Sequence, residues 1–115
     1  MLKLALASCE LISENVETIV ATRRFWQLQE LNLRHNEIET LPSAMFRLPR
    51  LQSLKLDHNR IAELPAIDST SGLKVLTIAH NQLFCVPASI RNLRATLQIL
   101  SLSDNKICFL PPELA

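Results

Sequence analysis

Three histidines, His35, His58 and His80, supply every imidazole of this 115-residue chain, and each stands directly before an asparagine: LRHNEI, LDHNRI and IAHNQL. A His-Asn pair in triplicate admits several kinds of chemistry. Imidazole ligates zinc or relays a proton, while an amide can satisfy both donors and acceptors of a turn. Asp104, in LSDNKI, fills the same place before Asn105 and would extend a set of metal ligands. Which chemistry applies depends on the elements that carry these residues.

Other routes to catalysis are closed. The chain has no glycine-rich phosphate loop, no G-x-S-x-G elbow and no H-E-x-x-H. Cys9, Cys85 and Cys108 are odd in number and lack C-x-x-C spacing, which argues against a zinc cluster or a disulfide framework and for a reducing, cytoplasmic setting. Cys85 and Cys108 read as small packing residues. LASC, ending at Cys9, resembles a lipoprotein acylation signal, but only eight residues precede the cysteine. That is too short for an apolar region of about 7–15 residues with its charged leader.

Composition narrows the class further. Hydrophobic residues make up 48% of the chain, enough for a core. Aromatics are 4% and the net charge is +1, so neither stacking platforms nor a global field favours nucleic acid or an anionic membrane. No apolar run approaches the roughly 18 residues of a membrane helix.

Aligned on asparagine, the chain repeats. LQELNLRHNEIETLP runs from Leu28, LQSLKLDHNRIAELP from Leu51, LKVLTIAHNQLFCVP from Leu73 and LQILSLSDNKICFLP from Leu97. Asn36, Asn59, Asn81 and Asn105 are spaced by 23, 22 and 24 residues. A degenerate fifth copy opens the chain, with Met1, Leu4, Leu6, Cys9 and Leu11 in the same slots. The pattern L-x-x-L-x-L-x-x-N-x-L-x-x-L-P resembles the leucine-rich repeat, in which cysteine is an accepted variant at the asparagine slot. The resemblance covers essentially the whole chain.

It implies an α/β solenoid: a curved right-handed coil with short parallel strands on the concave face and short helices or turns outside. One domain of about five repeats is expected, with divisions at 1–27, 28–50, 51–72, 73–96 and 97–115. Alternation of Leu31 with Leu33 marks a strand, and Leu28 and Ile38 flank it facing inward. The asparagines are expected to stack as a ladder, with Cys9 in the equivalent position. Pro42, Pro65, Pro87 and Pro111 end the ladder and turn the chain outward. In SENVETIVATRRFW, Ser13 is a candidate N-cap, and Val16, Ile19, Val20 and the stem of Arg23 share one helix face. Met45, Phe46, Leu48, Ile90 and Leu93 form outer-wall packing, with Phe25 or Trp26 packed on the outer helix and an exposed Trp26 marking a contact site. AIDSTSG, with Ile67 its apolar residue and Gly72 the chain's single glycine, is expected to be the loosest return. No terminal cap is evident. The expectation is therefore a piece of a longer array, or ends covered by flanking repeats or a second copy.

Under this scheme the histidines form a column at the strand edge, with strands about 4.8 Å apart. A flat column points its nitrogens in parallel, whereas tetrahedral zinc needs convergence, so no metal or other cofactor is assigned. Protonated rings that close together repel, and at least one is expected to titrate below its ordinary value of about 6.5.

Recognition then falls to strand residues facing away from the core. In the second repeat these are Gln29, Glu30, Asn32, Arg34 and His35; in the third, Gln52, Ser53, Lys55, Asp57 and His58. The fourth supplies Lys74, Val75, Thr77, Ala79 and His80, and the fifth Gln98, Ile99, Ser101, Ser103 and Asp104. Val75 and Ile99 are neighbours that offer an apolar anchor. Arginines gather in the return segments (Arg23, Arg24, Arg47, Arg50, Arg91 and Arg94), and Glu10, Glu14, Glu37, Glu39 and Glu63 follow the strand-ending turns, so the flanks differ in sign.

The L-P endings resemble the Ras-associated intracellular subgroup. That implies a non-catalytic scaffold or protein-binding module, with a small GTPase or another signalling component as the type of partner, and neither nucleic acid nor membrane. A recognition arm of a larger signalling enzyme or immune receptor, and a bacterial effector or surface protein, remain as alternatives.

Overall fold

A computed structural model describes residues 3–69 and 71–108, apart from the side chains of Arg23 and Arg24. Met1, Thr70 and Pro111 therefore lie outside the described residues. Five three-residue strands, β1 (Lys3–Ala5), β2 (Glu30–Asn32), β3 (Ser53–Lys55), β4 (Val75–Thr77) and β5 (Ile99–Ser101), form one parallel sheet in chain order. The register sets Leu4, Leu31, Leu54, Leu76 and Leu100 side by side, so the strand leucines stack as one column. This is the α/β leucine-rich-repeat solenoid that the pattern implies.

Burial follows the repeat. Leu31, Leu54 and Leu76 are at most 1% exposed, and Leu33, Leu56 and Ile78 are fully buried. Ile38, Ile61 and Leu83 complete a third column without exposure. Each such side chain contributes about 1.5–3 kcal/mol by leaving water, and each does so only because the next coil covers it.

The return segments differ by length. The first has room for an α-helix, α1 (Ser13–Ala21), which buries Val16, Ile19 and Val20. Shorter returns use the tighter 3₁₀ turn, at Ser43–Arg47 and Ala88–Leu93 directly after Pro42 and Pro87. Met45, Phe46, Ile90 and Leu93 pack inward from these turns. The described part of the return after Pro65 holds no helix. Ile67 nonetheless is 2% exposed, its N–H donates to Ser89 Oγ at 2.9 Å, and its carbonyl accepts from Asn92 Nδ2 at 2.7 Å. The next coil thus supplies the order that a helix would otherwise give.

Ser13 is not the cap of α1. Ile12 takes that position, and its N–H donates to Asn15 Oδ1 at 2.9 Å. Ser13 Oγ accepts instead from the N–H groups of Glu39 and Thr40, at 3.1 and 3.0 Å. The hydroxyl serves the neighbouring coil, a demand that local sequence does not display.

Candidate functional site

The asparagines build the floor of the site. Asn59 Oδ1 accepts from the Ile38 N–H at 3.1 Å, and its Nδ2 donates to the carbonyls of Leu33 (2.9 Å) and Leu56 (3.0 Å). Asn81 repeats this with Ile61, Leu56 and Ile78, and Asn105 with Leu83, Ile78 and Leu102. Asn36 accepts from both Cys9 and Leu11 and donates to Leu6 and Leu33. Each shared carbonyl, such as that of Leu33, thus receives two amides, one from its own coil and one from the next. Cys9 sits in the same slot, and its thiol offers only a weak contact to the Ala7 carbonyl at 3.5 Å.

Immediately before each asparagine the backbone becomes left-handed. His35, His58, His80 and Asp104 have φ of 56°, 58°, 56° and 55°, and Ser8 in the first coil has 57°. Histidine and aspartate are among the few side chains enriched in this region, because β-branched or bulky residues crowd the following carbonyl. The conformation accounts for the recurrence of the His-Asn pair without any catalytic role. Its sequence signal was available: four of the five slots hold His or Asp.

The imidazoles form a column. His35 stacks on His58 and His58 on His80, each at 4.3 Å between centroids with interplanar angles of 11° and 10°. Backbone bonds hold the spacing, since the N–H groups of His35, His58 and His80 each donate at 3.0 Å to the next coil's carbonyl. Asp104 Oδ2 closes the column 3.3 Å from His80 Nε2. The pKa of His58 is lowered, first by partial loss of solvent and then by the charges of its two neighbouring rings, which outweigh Asp57. Parallel rings at this spacing do not converge on one tetrahedral centre.

Three of the expected display residues are buried. Asp57 and Ser53 are each 8% exposed. Asp57 accepts from Arg34 Nε at 2.7 Å, Thr77 Oγ1 at 2.9 Å and the Ala79 N–H at 2.7 Å, drawing it down onto the sheet. Burial alone would raise its pKa, but these hydrogen bonds and the Arg34 charge hold it below its ordinary carboxylate value. Ser53 is short and lies between the longer Glu30 and Val75 in register. Ala79 is also buried, at 8% exposure.

Other residues expected on this face are accessible. His35, Gln52, His58, Lys74, His80, Gln98, Ser103 and Asp104 are exposed, whereas Gln29, Asn32, Lys55, Val75, Thr77 and Ser101 are half-buried. Glu30 is half-buried too and meets Lys3 at 3.3 Å. Ile99 is 54% exposed and pairs in register with Val75, so an apolar patch faces outward from β4 and β5. Elsewhere, Phe25 packs on the core while Trp26 is 42% exposed, its Nε1–H donating to the Val20 carbonyl at 3.3 Å. Arg47 lies 3.5 Å from Asp68, so the basic flank also carries acid.

Residues 21–61 and 96–115 match models of the leucine rich repeat family. Volume-regulated anion channel subunit LRRC8E of Xenopus tropicalis is 38% identical over 100 residues, and the protein of that name from Xenopus laevis matches equally. The match takes in 84% of this chain but spans 12% of each channel subunit. A solved leucine-rich repeat protein of Leptospira interrogans aligns with TM-score 0.71 and 39% identity, over 76% of this chain and 22% of that one.

Proposed function

The chain is a leucine-rich repeat protein, and we propose that it is a non-catalytic recognition module that binds another protein on its concave sheet. The observation that carries this is the patch of Ile99, 54% exposed, beside Val75, with Lys74 preceding the same strand and Lys55 in the strand alongside. An exposed aliphatic residue on a hydrogen-bonded sheet supplies an anchor with little ordering cost, and the lysines add direction. A small GTPase is the partner type carried over from the subgroup resemblance. A cytoplasmic setting is supported by the free thiols of Cys9, Cys85 and Cys108. No helix among the described residues is long and apolar enough to cross a membrane.

A second reading, a recognition arm within a larger signalling protein, is favoured by the relatives, in which the matching segment is 12% of a channel subunit.

Partner capture with purified wild type and three variants tests the proposal. Ile99→Ala is expected to weaken binding by about 1–2 kcal/mol, and Lys55→Glu with Lys74→Glu by a similar amount, measured by titration calorimetry. Arg91→Glu with Arg94→Glu, on the outer side, should leave it unchanged. If only the outer variant loses the partner, the concave assignment is wrong.

A further inference from the structure

We propose that the column of His35, His58 and His80 is a proton-coupled docking site for an acidic segment of the partner, whose carboxylates seat along the ring edges as the imidazoles take up protons. This rests on the concave-face reading above and names the chemistry of what that face recognises.

The column is a built feature. Left-handed φ values near 56–58° and backbone hydrogen bonds of 3.0 Å fix the backbone of each histidine, and the rings it carries stack at 4.3 Å. The resulting ridge separates two depressions of about 340 and 590 Å³. Both are open to an extended segment.

Charge around the ridge favours an acid only once protons arrive. In the first depression Arg34 and Asp57 cancel at 2.7 Å, leaving it neutral while the rings are neutral. The second contains Glu10, Glu37 and Arg60, one more acid than base. Each proton on the column adds a positive charge to both. Like charges about 4 Å apart repel even in water, so protons on neighbouring rings oppose one another. A carboxylate lying against neighbouring rings offsets that repulsion and draws those protons in.

The molecule already shows the contact at one end. Asp104, which replaces histidine in the last described coil, places its carboxylate oxygen 3.3 Å from His80 Nε2. Among the described residues, His58 and His35 continue the column with no carboxylate in ion-pair contact. Asp57 lies below them with its oxygens engaged by Arg34, Thr77 and Ala79. An external carboxylate would therefore extend along His58 and His35 what Asp104 does at His80.

The test is an NMR titration of the three imidazoles in the full chain, alone and with hexaglutamate, hexaglutamine or inorganic phosphate at constant ionic strength. Hexaglutamate is expected to raise the His58 midpoint by about half a pH unit. By linkage this means binding about threefold tighter below the free midpoint than above the bound one. Hexaglutamine should leave the midpoint in place. An unmoved midpoint with hexaglutamate overturns the proposal, and a shift with phosphate alone overturns the carboxylate assignment. In His58→Asn, which keeps a side chain suited to the left-handed backbone, the pH dependence of hexaglutamate binding should flatten; an unchanged dependence also overturns it. A partner that needs Ile99 and Lys74 yet binds equally at pH 5.5 and 7.5 would sink the column while leaving the concave reading intact.

Discussion

Arg34 Nε and Asp57 Oδ2 meet at 2.7 Å across the step from β2 to β3, and the same carboxylate reaches forward to Thr77 at the end of β4 and to Ala79 just after it. One side chain therefore fastens three successive coils. A charged residue in a position that reads as display surface is a staple, and its partners explain why it remains ionised while buried.

Replacing Asp57 with Ala should cost about 2–4 kcal/mol, because it strands the Ala79 N–H and leaves Arg34 without its partner. Arg34→Ala should cost less, about 1 kcal/mol, since Asp57 keeps two donors. Urea unfolding of the two variants gives the ranking. The sign with pH also follows. The pKa of Asp57 is lowered from its ordinary value of 3.8, so its stabilisation is present above that value and is lost as pH falls through the lower folded one. Asp57→Asn and wild type should converge in stability at the acid end.

The asparagine ladder predicts a gradient. Asn59 is 7% exposed and bonded on both sides, so Asn59→Ala should lose about 3–5 kcal/mol as several buried groups go unpaired. Asn105→Ala should lose less, because Asn105 is only half-buried. Cys9→Asn should gain about 0.5–1 kcal/mol by giving the Ala7 carbonyl an amide in place of a thiol and the Leu6 carbonyl a second amide beside that of Asn36. Chemical denaturation of the three proteins checks the order.

Leucine columns and ladder are legible in the sequence because both recur with the coil: a residue needed once per turn appears once per repeat, and four copies expose it. What occurs once is not legible. Asp57 looks like any polar strand residue until the coils are stacked, since Arg34, Thr77 and Ala79 are each about one repeat away. Ser13 caps nothing in its own helix, because its hydroxyl answers to Glu39 and Thr40 in the following coil. The left-handed turn lies between these cases. It recurs, but its residue preference is easily taken for chemistry when the residue is histidine.

That turn yields a direct comparison at one position. His58→Val should cost about 1–2 kcal/mol, because a β-branched side chain at φ of 58° crowds the following carbonyl. His58→Asn should stay within about 0.5 kcal/mol of wild type, since asparagine tolerates the same backbone. Thermal unfolding at pH 8, above the ordinary imidazole range, separates the backbone effect from charge. Equal losses in the two variants would show that the ring stack, and not φ, sets the cost.

The column finally fixes a pH dependence whose direction is opposite to that of a histidine gaining an acidic partner. The His58 pKa is lowered from 6.5 in the folded chain, so between the two values the unfolded chain binds more protons. Its contribution is complete above 6.5 and declines as pH falls through the depressed folded value. Wild type should therefore lose stability on acidification through this window, before the carboxylates titrate, and His58→Asn should lose less there. Removing the central ring removes that titration, together with the partial loss of solvent and the neighbouring-ring repulsion that lower it. An acidic peptide seated on the column should restore wild-type stability in the same window and leave the variant unmoved, a difference readable as the shift in urea midpoint between pH 7.5 and 5.5.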